Sequence, residues 1–148
     1  MIYVDADACP VKDEIYRVAR RFAEPVVVVA NSSIRVPQEP GFELVVKTAF
    51  GEVDDWIAAQ CQVNDLVVTA DIPLAARALE RGAYCLDPRG NPFTERDIGY
   101  ALAMRERANE LRLLGEATSG PPPFSAKDRS RFLSKLDEIL HVLRKRRA

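Results

Sequence analysis

Six aspartates stand where this chain could do chemistry. Asp5 and Asp7 follow the apolar run Ile2-Tyr3-Val4, Asp71 follows the run DLVVTA, and Asp87 follows AYCL. Asp54 and Asp55 open a segment with helical apolar spacing. An acid at the end of a buried strand costs stability unless donors or a cation satisfy it. Parallel strands bring their ends to one edge, where open α/β sheets present their sites. Hard oxygen donors gathered without histidine suit Mg²⁺ or Mn²⁺, ions that activate water and offset charge developing at phosphorus. Asp5, Asp7, Asp54, Asp71 and Asp87 are therefore the candidate metal ligands. Each acid taken singly also reads as a turn former or helix N-cap. The one histidine, His141, lies among leucines in the last predicted helix, which speaks against a zinc or histidine-base mechanism at the strand edge.

Five short apolar segments must position these acids: residues 2–4, 25–30 (PVVVVA), 43–47, 65–70 and 83–86. The β-branched, unalternating run at 25–30 is that of a strand covered on both faces. Between them, helical spacing is expected after Cys9-Pro10, with Ile15, Val18, Ala19 and Phe22 on one side, and over residues 52–63 and 73–81, with Gly82 as a stop. The alternation predicts an α/β fold with three layers and a parallel sheet of about five strands. With Val53 at zero and 100° per residue, Asp54 flanks the apolar side of its helix and Asp55 opposes it. Asp54 is the acid expected to face the sheet edge.

Beyond the sheet, Thr94 with Asp97 predicts the start of a long helix ending at Gly115. Residues 116–124 (EATSGPPPF) read as a linker or rigid brace, and Ser125 as the cap of a last helix carrying Phe132, Leu133, Leu136, Ile139, Leu140 and Leu143. The expected organisation is one α/β body over 1–115, with the brace and C-terminal helix of 116–148 packed on it. The apolar face of that helix could equally meet a second subunit, making a homo-oligomer.

The 148 residues suffice for one domain with a substantial core. Net charge is −1, but residues 127–148 hold eight Lys/Arg against three Asp/Glu. That basic end either grips phosphates or is a solvated helix terminus. Three cysteines without CxxC spacing argue against a disulfide framework or zinc knuckle. No apolar run reaches membrane-span length and no signal pattern opens the chain, so a cytoplasmic location is expected.

The motifs VDADACPVKDEI, VANS, DDWIA, DLVVTADIPLA, PRG and GPPPFSAKDRSRF resemble the YaiI/YqxD family of bacterial proteins, which is itself grouped by likeness with PIN-like domains. The resemblance covers essentially the whole chain. It implies a PIN-like fold, a Mg²⁺ or Mn²⁺ cofactor and nuclease activity on nucleic acid, RNA first. Asp5 matches the PIN first-strand acid, Asp54 the helix acid in a D-x-x-I-A setting, and Asp71 the later strand-end acid after a threonine. Asp7 and Asp87 match loosely. The DADACP opening and the C-terminal GPPPFS segment and helix depart from the PIN pattern.

Around the acids, Asn31 and Ser32 either orient a water or phosphate oxygen, or simply turn the chain. Lys12 and Arg89 either contact phosphate or serve as surface charges. Arg129 is expected to pair near Asp128 rather than fold toward the site. Cys9, ahead of a helix N-terminus, is expected to be a buried structural thiol with a somewhat lowered pKa. Trp56 reads as core. Three functions remain open: a metal-dependent phosphodiesterase using Asp5, Asp54 and Asp71; a haloacid-dehalogenase-like phosphatase with Asp5 as nucleophile, Asp7 as acid/base and Ser32 as the second strand-end hydroxyl; and a non-catalytic nucleic-acid or protein-binding module relying on the basic tail.

Overall fold

The computed structural model describes residues 1–115 and 122–147. Most of the expected brace, 116–121, therefore lies outside the described residues. Five strands, β1 (Ile2–Asp5), β2 (Val26–Ala30), β3 (Phe42–Val46), β4 (Leu66–Val68) and β5 (Tyr84–Leu86), form one parallel sheet in the order β3-β2-β1-β4-β5. Five helices accompany them: α1 (Lys12–Phe22), α2 (Glu52–Gln60), α3 (Ile72–Glu80), α4 (Glu95–Leu113) and α5 (Ala126–Arg147). The chain builds outward from β1 to β3, then crosses back and continues from β4 to β5. The strand order thus reverses between β1 and β4, the place where open α/β sheets form their binding crevice.

Side chains alternate across a strand, so the sheet separates two cores. Ile2, Val4, Val26, Val28, Leu66, Val68 and Leu86 pack with α1 and α5. Tyr3, Val27, Val29, Val67 and Cys85 pack with α2 and α3. The result is three layers, as expected. Helix α5 contributes Phe132, Leu136, Leu140 and Leu143 to the first core with no more than 2 % exposure. Each such burial stabilises by about 1.5–3 kcal/mol, so α5 is part of that core rather than an appendage. Gly90 explains how it fits: at φ 86° it abuts the α5 backbone, and a Cβ there would lie 2.6 Å from the Phe132 nitrogen.

Local chemistry sets several boundaries. Helix α2 stops at Gln60, three residues short of expectation, because Cys61 turns extended and stays fully buried. Asp65 then closes the turn by accepting from the Gln62 N–H at 2.9 Å. Strands β2 and β3 are joined without a helix; Val36 is the buried anchor of that loop. Thr94 and Ser125 accept from Asp97 N–H and Asp128 N–H, the two caps the sequence predicts. The three cysteines are free and buried. Among the described residues, no helix is long and apolar enough to cross a membrane.

Candidate functional site

Strand alternation decides which polar residues share a face. Asp5 has the parity of Tyr3, Thr69 that of Val67, and Asn31 that of Val29, so all three emerge on the α2/α3 side at the carboxyl edge. There they meet the first turn of α2 and form a cleft of about 620 Å³. Its lining holds Asp5, Asp7, Asn31, Asp54 and Asp71, with Thr48 and Phe50 on the rim toward β3. Asp5 and Asp71 straddle the point where strand order reverses.

Thr69 ties the two together. Its hydroxyl is buried and donates to Asp5 Oδ2 at 2.7 Å, while accepting from the Asp71 N–H at 2.9 Å. The second bond fixes the hydroxyl rotor, so its proton is committed to Asp5. Asp71 caps α3, its Oδ1 accepting from Leu74 N–H at 2.8 Å. Asp7 Oδ1 accepts from Asn31 N–H at 3.3 Å. The turn that returns Asp7 to the cleft puts Ala8 at φ 63°, a left-handed conformation costly for alanine. Lys12 holds that turn by donating to the carbonyls of Ala6 and Cys9 at 3.5 and 3.2 Å.

The electrostatics are those of uncompensated acids. Burial pushes the Asp5 carboxyl up to about 6, opposed by the Thr69 hydrogen bond and reinforced by Asp54, Asp7 and Asp71. Asp54 is also raised, first by burial and then by Asp71, with Arg77 acting in the opposite sense. Arg77 itself is engaged by Asp55 at 2.7 Å on the solvent side of α2. The helical-angle distinction between Asp54 and Asp55 holds in the structure. Among the described residues, no lysine or arginine lines the cleft.

Other expected residues are placed elsewhere. Asp87 closes the tight turn after β5, accepting from the backbone N–H groups of Arg89 and Asn91, each at 2.9 Å. That turn bends it away, and it lines a neighbouring hollow with Arg89 and Phe124 instead of the acid cleft. Arg89 pairs with Asp128 at 2.9 Å and donates to the Pro122 carbonyl. Ser32 has the opposite parity to Asn31 and does not line the cleft. Arg129 reaches neither the site nor its own helix; it pairs with the buried Glu14 of α1 and lies over the Phe124 ring. Cys9 is a buried thiol, but burial raises its pKa, contrary to the lowering expected from the helix N-terminus. Trp56 packs edge-on against Tyr3 beside the second core. His141 lies in α5 beside Leu140, as expected, and is exposed, pairing with Asp137 and packing edge-on against Phe22.

Sequence reasoning missed Thr69, Thr48 and Phe50. For Thr69 a signal existed: a hydroxyl on the β4 face shared with Asp5, two residues before a strand-end acid. Among the described residues, no three Asp, Glu, His or Cys side chains stand ready to ligate one ion directly. A cage of five direct carboxylate ligands is therefore not what this cleft offers. Its side-chain oxygen donors are the carboxylates of Asp5, Asp7, Asp54 and Asp71, with the Asn31 amide and the Thr48 hydroxyl beside them, a set of hard donors.

Comparison with known proteins agrees along the chain's length. The model of the family described as uncharacterized BCR, YaiI/YqxD family, matches residues 3–142. A UPF0178 protein of Bradyrhizobium diazoefficiens is 54% identical over 147 residues, spanning 99% of this chain and 88% of the relative. A UPF0178 protein of Rhodopseudomonas palustris is 53% identical over 148 residues, covering 99% and 94%. One from Nitrobacter winogradskyi is 50% identical over 145 residues, covering 97% and 92%. No solved structure matches the chain.

Proposed function

The chain belongs to the YaiI/YqxD family, and from that premise we propose that it is a Mg²⁺- or Mn²⁺-dependent phosphodiesterase acting on nucleic acid, RNA in the first place. The observation that carries this reading is the pairing of Asp5 and Asp71 through Thr69 across the β1/β4 reversal, with Asp54 and Asp7 in the same cleft and no cationic side chain of the described residues among them.

Asp5, Asp7, Asp54 and Asp71 would hold the ion, partly through its waters. When bound, a divalent ion supplies charge neutralisation at the phosphoryl oxygens and makes water a better nucleophile. The protein's own groups do the rest. Thr69 donates to Asp5 Oδ2 and so leaves Oδ1 to face the cleft. Asp5 is positioned to accept the proton released as water oxygen bonds to phosphorus and the ester P–O bond breaks. Asp71 is locked by its cap on α3, so its second oxygen has a fixed direction.

The rival readings fare worse on specific grounds. A phosphatase with Asp5 as nucleophile needs a cationic side chain against the phosphate, and Lys12 is committed to the carbonyls of its own turn. Ser32, its expected second hydroxyl, does not line the cleft. A binding module gripping with the basic tail loses Arg144 and Arg147 to contacts within the chain: Arg144 with the Phe22 carbonyl and Arg147 with Glu24.

The test is cleavage of single-stranded RNA with Mn²⁺ by the wild type, Asp5→Asn and Asp71→Asn. Asparagine also caps helices well, so Asp71→Asn keeps α3 intact. Both variants are expected to lose about 100-fold or more in rate. Equal rates in all three proteins remove the proposal.

A further inference from the structure

Phe50 is the most exposed large apolar side chain among the described residues, at 107 %. Among the described residues, none covers the ring. It stands on the lip of the acid cleft, lining it together with Asp54 and Asp71. Its presentation is fixed by the turn between β3 and α2. Gly51 takes φ 75° at the start of α2, Glu52 N–H donates to the Ala49 carbonyl at 3.1 Å, and Ala49 N–H donates to Glu52 Oε2 at 3.4 Å. The flanking residues, Ala49 and Gly51, are too small to cover either face of the ring.

We propose that Phe50 is a base-stacking residue, which seats one unpaired base of the substrate against the rim so that the adjoining phosphodiester reaches the carboxylates; this rests on the phosphodiesterase reading above. An acidic cleft repels a phosphate backbone, so grip on the substrate has to come from contacts other than side-chain cations. Aromatic stacking supplies that grip without regard to base identity, because every base has a π-face. A base inside a duplex is already stacked on both sides and cannot occupy the ring, so Phe50 confers preference for single strands. A protein partner is the poorer match. None of the other large exposed apolar side chains among the described residues lines this cleft, whereas a protein interface needs a contiguous apolar patch.

The experiment compares Phe50→Ala and Phe50→Trp with the wild type in steady-state cleavage of one oligoribonucleotide, single-stranded and annealed to its complement. Phe50→Ala is expected to raise KM for the single strand about tenfold, with kcat within about twofold, and to leave the melting temperature unchanged because the ring is exposed. Phe50→Trp is expected to retain the wild-type KM. In the Asp71→Asn background, titrating the oligoribonucleotide should quench the indole introduced by Phe50→Trp more than it quenches Trp56 alone. An unchanged KM in Phe50→Ala, while Asp71→Asn abolishes cleavage, overturns the stacking role and leaves the phosphodiesterase standing. Absence of any RNA cleavage by the wild type removes the phosphodiesterase and this inference with it.

Discussion

The two edges of the sheet hold acids in opposite ways. At the amino edge, just before β2 and β4, stand Glu24 and Asp65. Glu24 accepts from the Met1 ammonium at 2.6 Å and from Arg147 at 2.7 Å through both carboxylate oxygens. Asp65 lies 3.4 Å from the same ammonium. These cations hold the Glu24 carboxyl below its usual range despite burial. At the carboxyl edge Asp5 and Asp54 are raised, with one hydroxyl and a few backbone N–H groups for company in the cleft. One chain thus compensates its acids at one edge and leaves them uncompensated at the other. Acids kept where they repel each other are the ground of the proposed divalent-ion site.

Charge removal separates the edges most sharply. Glu24→Ala removes the carboxylate shared by the Met1 ammonium and Arg147, leaving them Asp65 and the Asn64 carbonyl, and is expected to cost about 1–2 kcal/mol in a denaturant titration. Asp54→Asn in metal-free protein is expected to leave stability unchanged or raise it. A comparable loss in both variants would erase the distinction between the edges. The added ion tests the same asymmetry from the other side. Mn²⁺ at about 100 times its dissociation constant should stabilise the wild type by about 2.7 kcal/mol, seen as a higher melting temperature. Asp5→Asn should cancel most of that rise, and Glu24→Gln should not.

Acid titration gives the edges opposite signs. Asp5 moves from an ordinary 3.8 to about 6 on folding, so between those values the native state binds more protons than the unfolded one. Metal-free stability should therefore fall as pH rises from about 4 to about 6, and the gap to Asp5→Asn should widen over that window by a few degrees of melting temperature. Glu24, lowered on folding, contributes stability above its unfolded value that is lost as pH drops through its folded one. The smallest effect concerns the turn behind Asp7. Ala8→Gly relieves a left-handed alanine but frees the unfolded chain, for a net gain of about 0.5 kcal/mol by thermal melting.

Much of this was legible in the residues. The β-branched run at β2 announces a doubly covered strand, and acids directly after apolar segments announce the loaded edge. Helical geometry alone separates Asp54 from Asp55. The clustering of Asp5, Asp54 and Asp71 at one edge follows from parallel strands. What escaped depends on partners far off in the chain. Thr69 matters because β4 pairs with β1, bringing Asp5 within hydrogen-bond reach across 64 positions. Arg129 meets Glu14 at a separation of 115, and Arg147 meets Glu24 at 123. Asp87 looked like its neighbours at other strand ends, but the closure of its own turn by Arg89 and Asn91 spends its oxygens.

Residue order by itself determined the elements, their alternation and the edge to which the acids run, because strand and helix periods are local and the β-branched and capping residues act within a few positions. Only the packed structure decided which acids are compensated. Pairing an acid with a cation depends on which helix end the core delivers to which edge, and burial of α5 carried Arg147 to the amino edge, while the cleft at the carboxyl edge is lined by no described lysine or arginine.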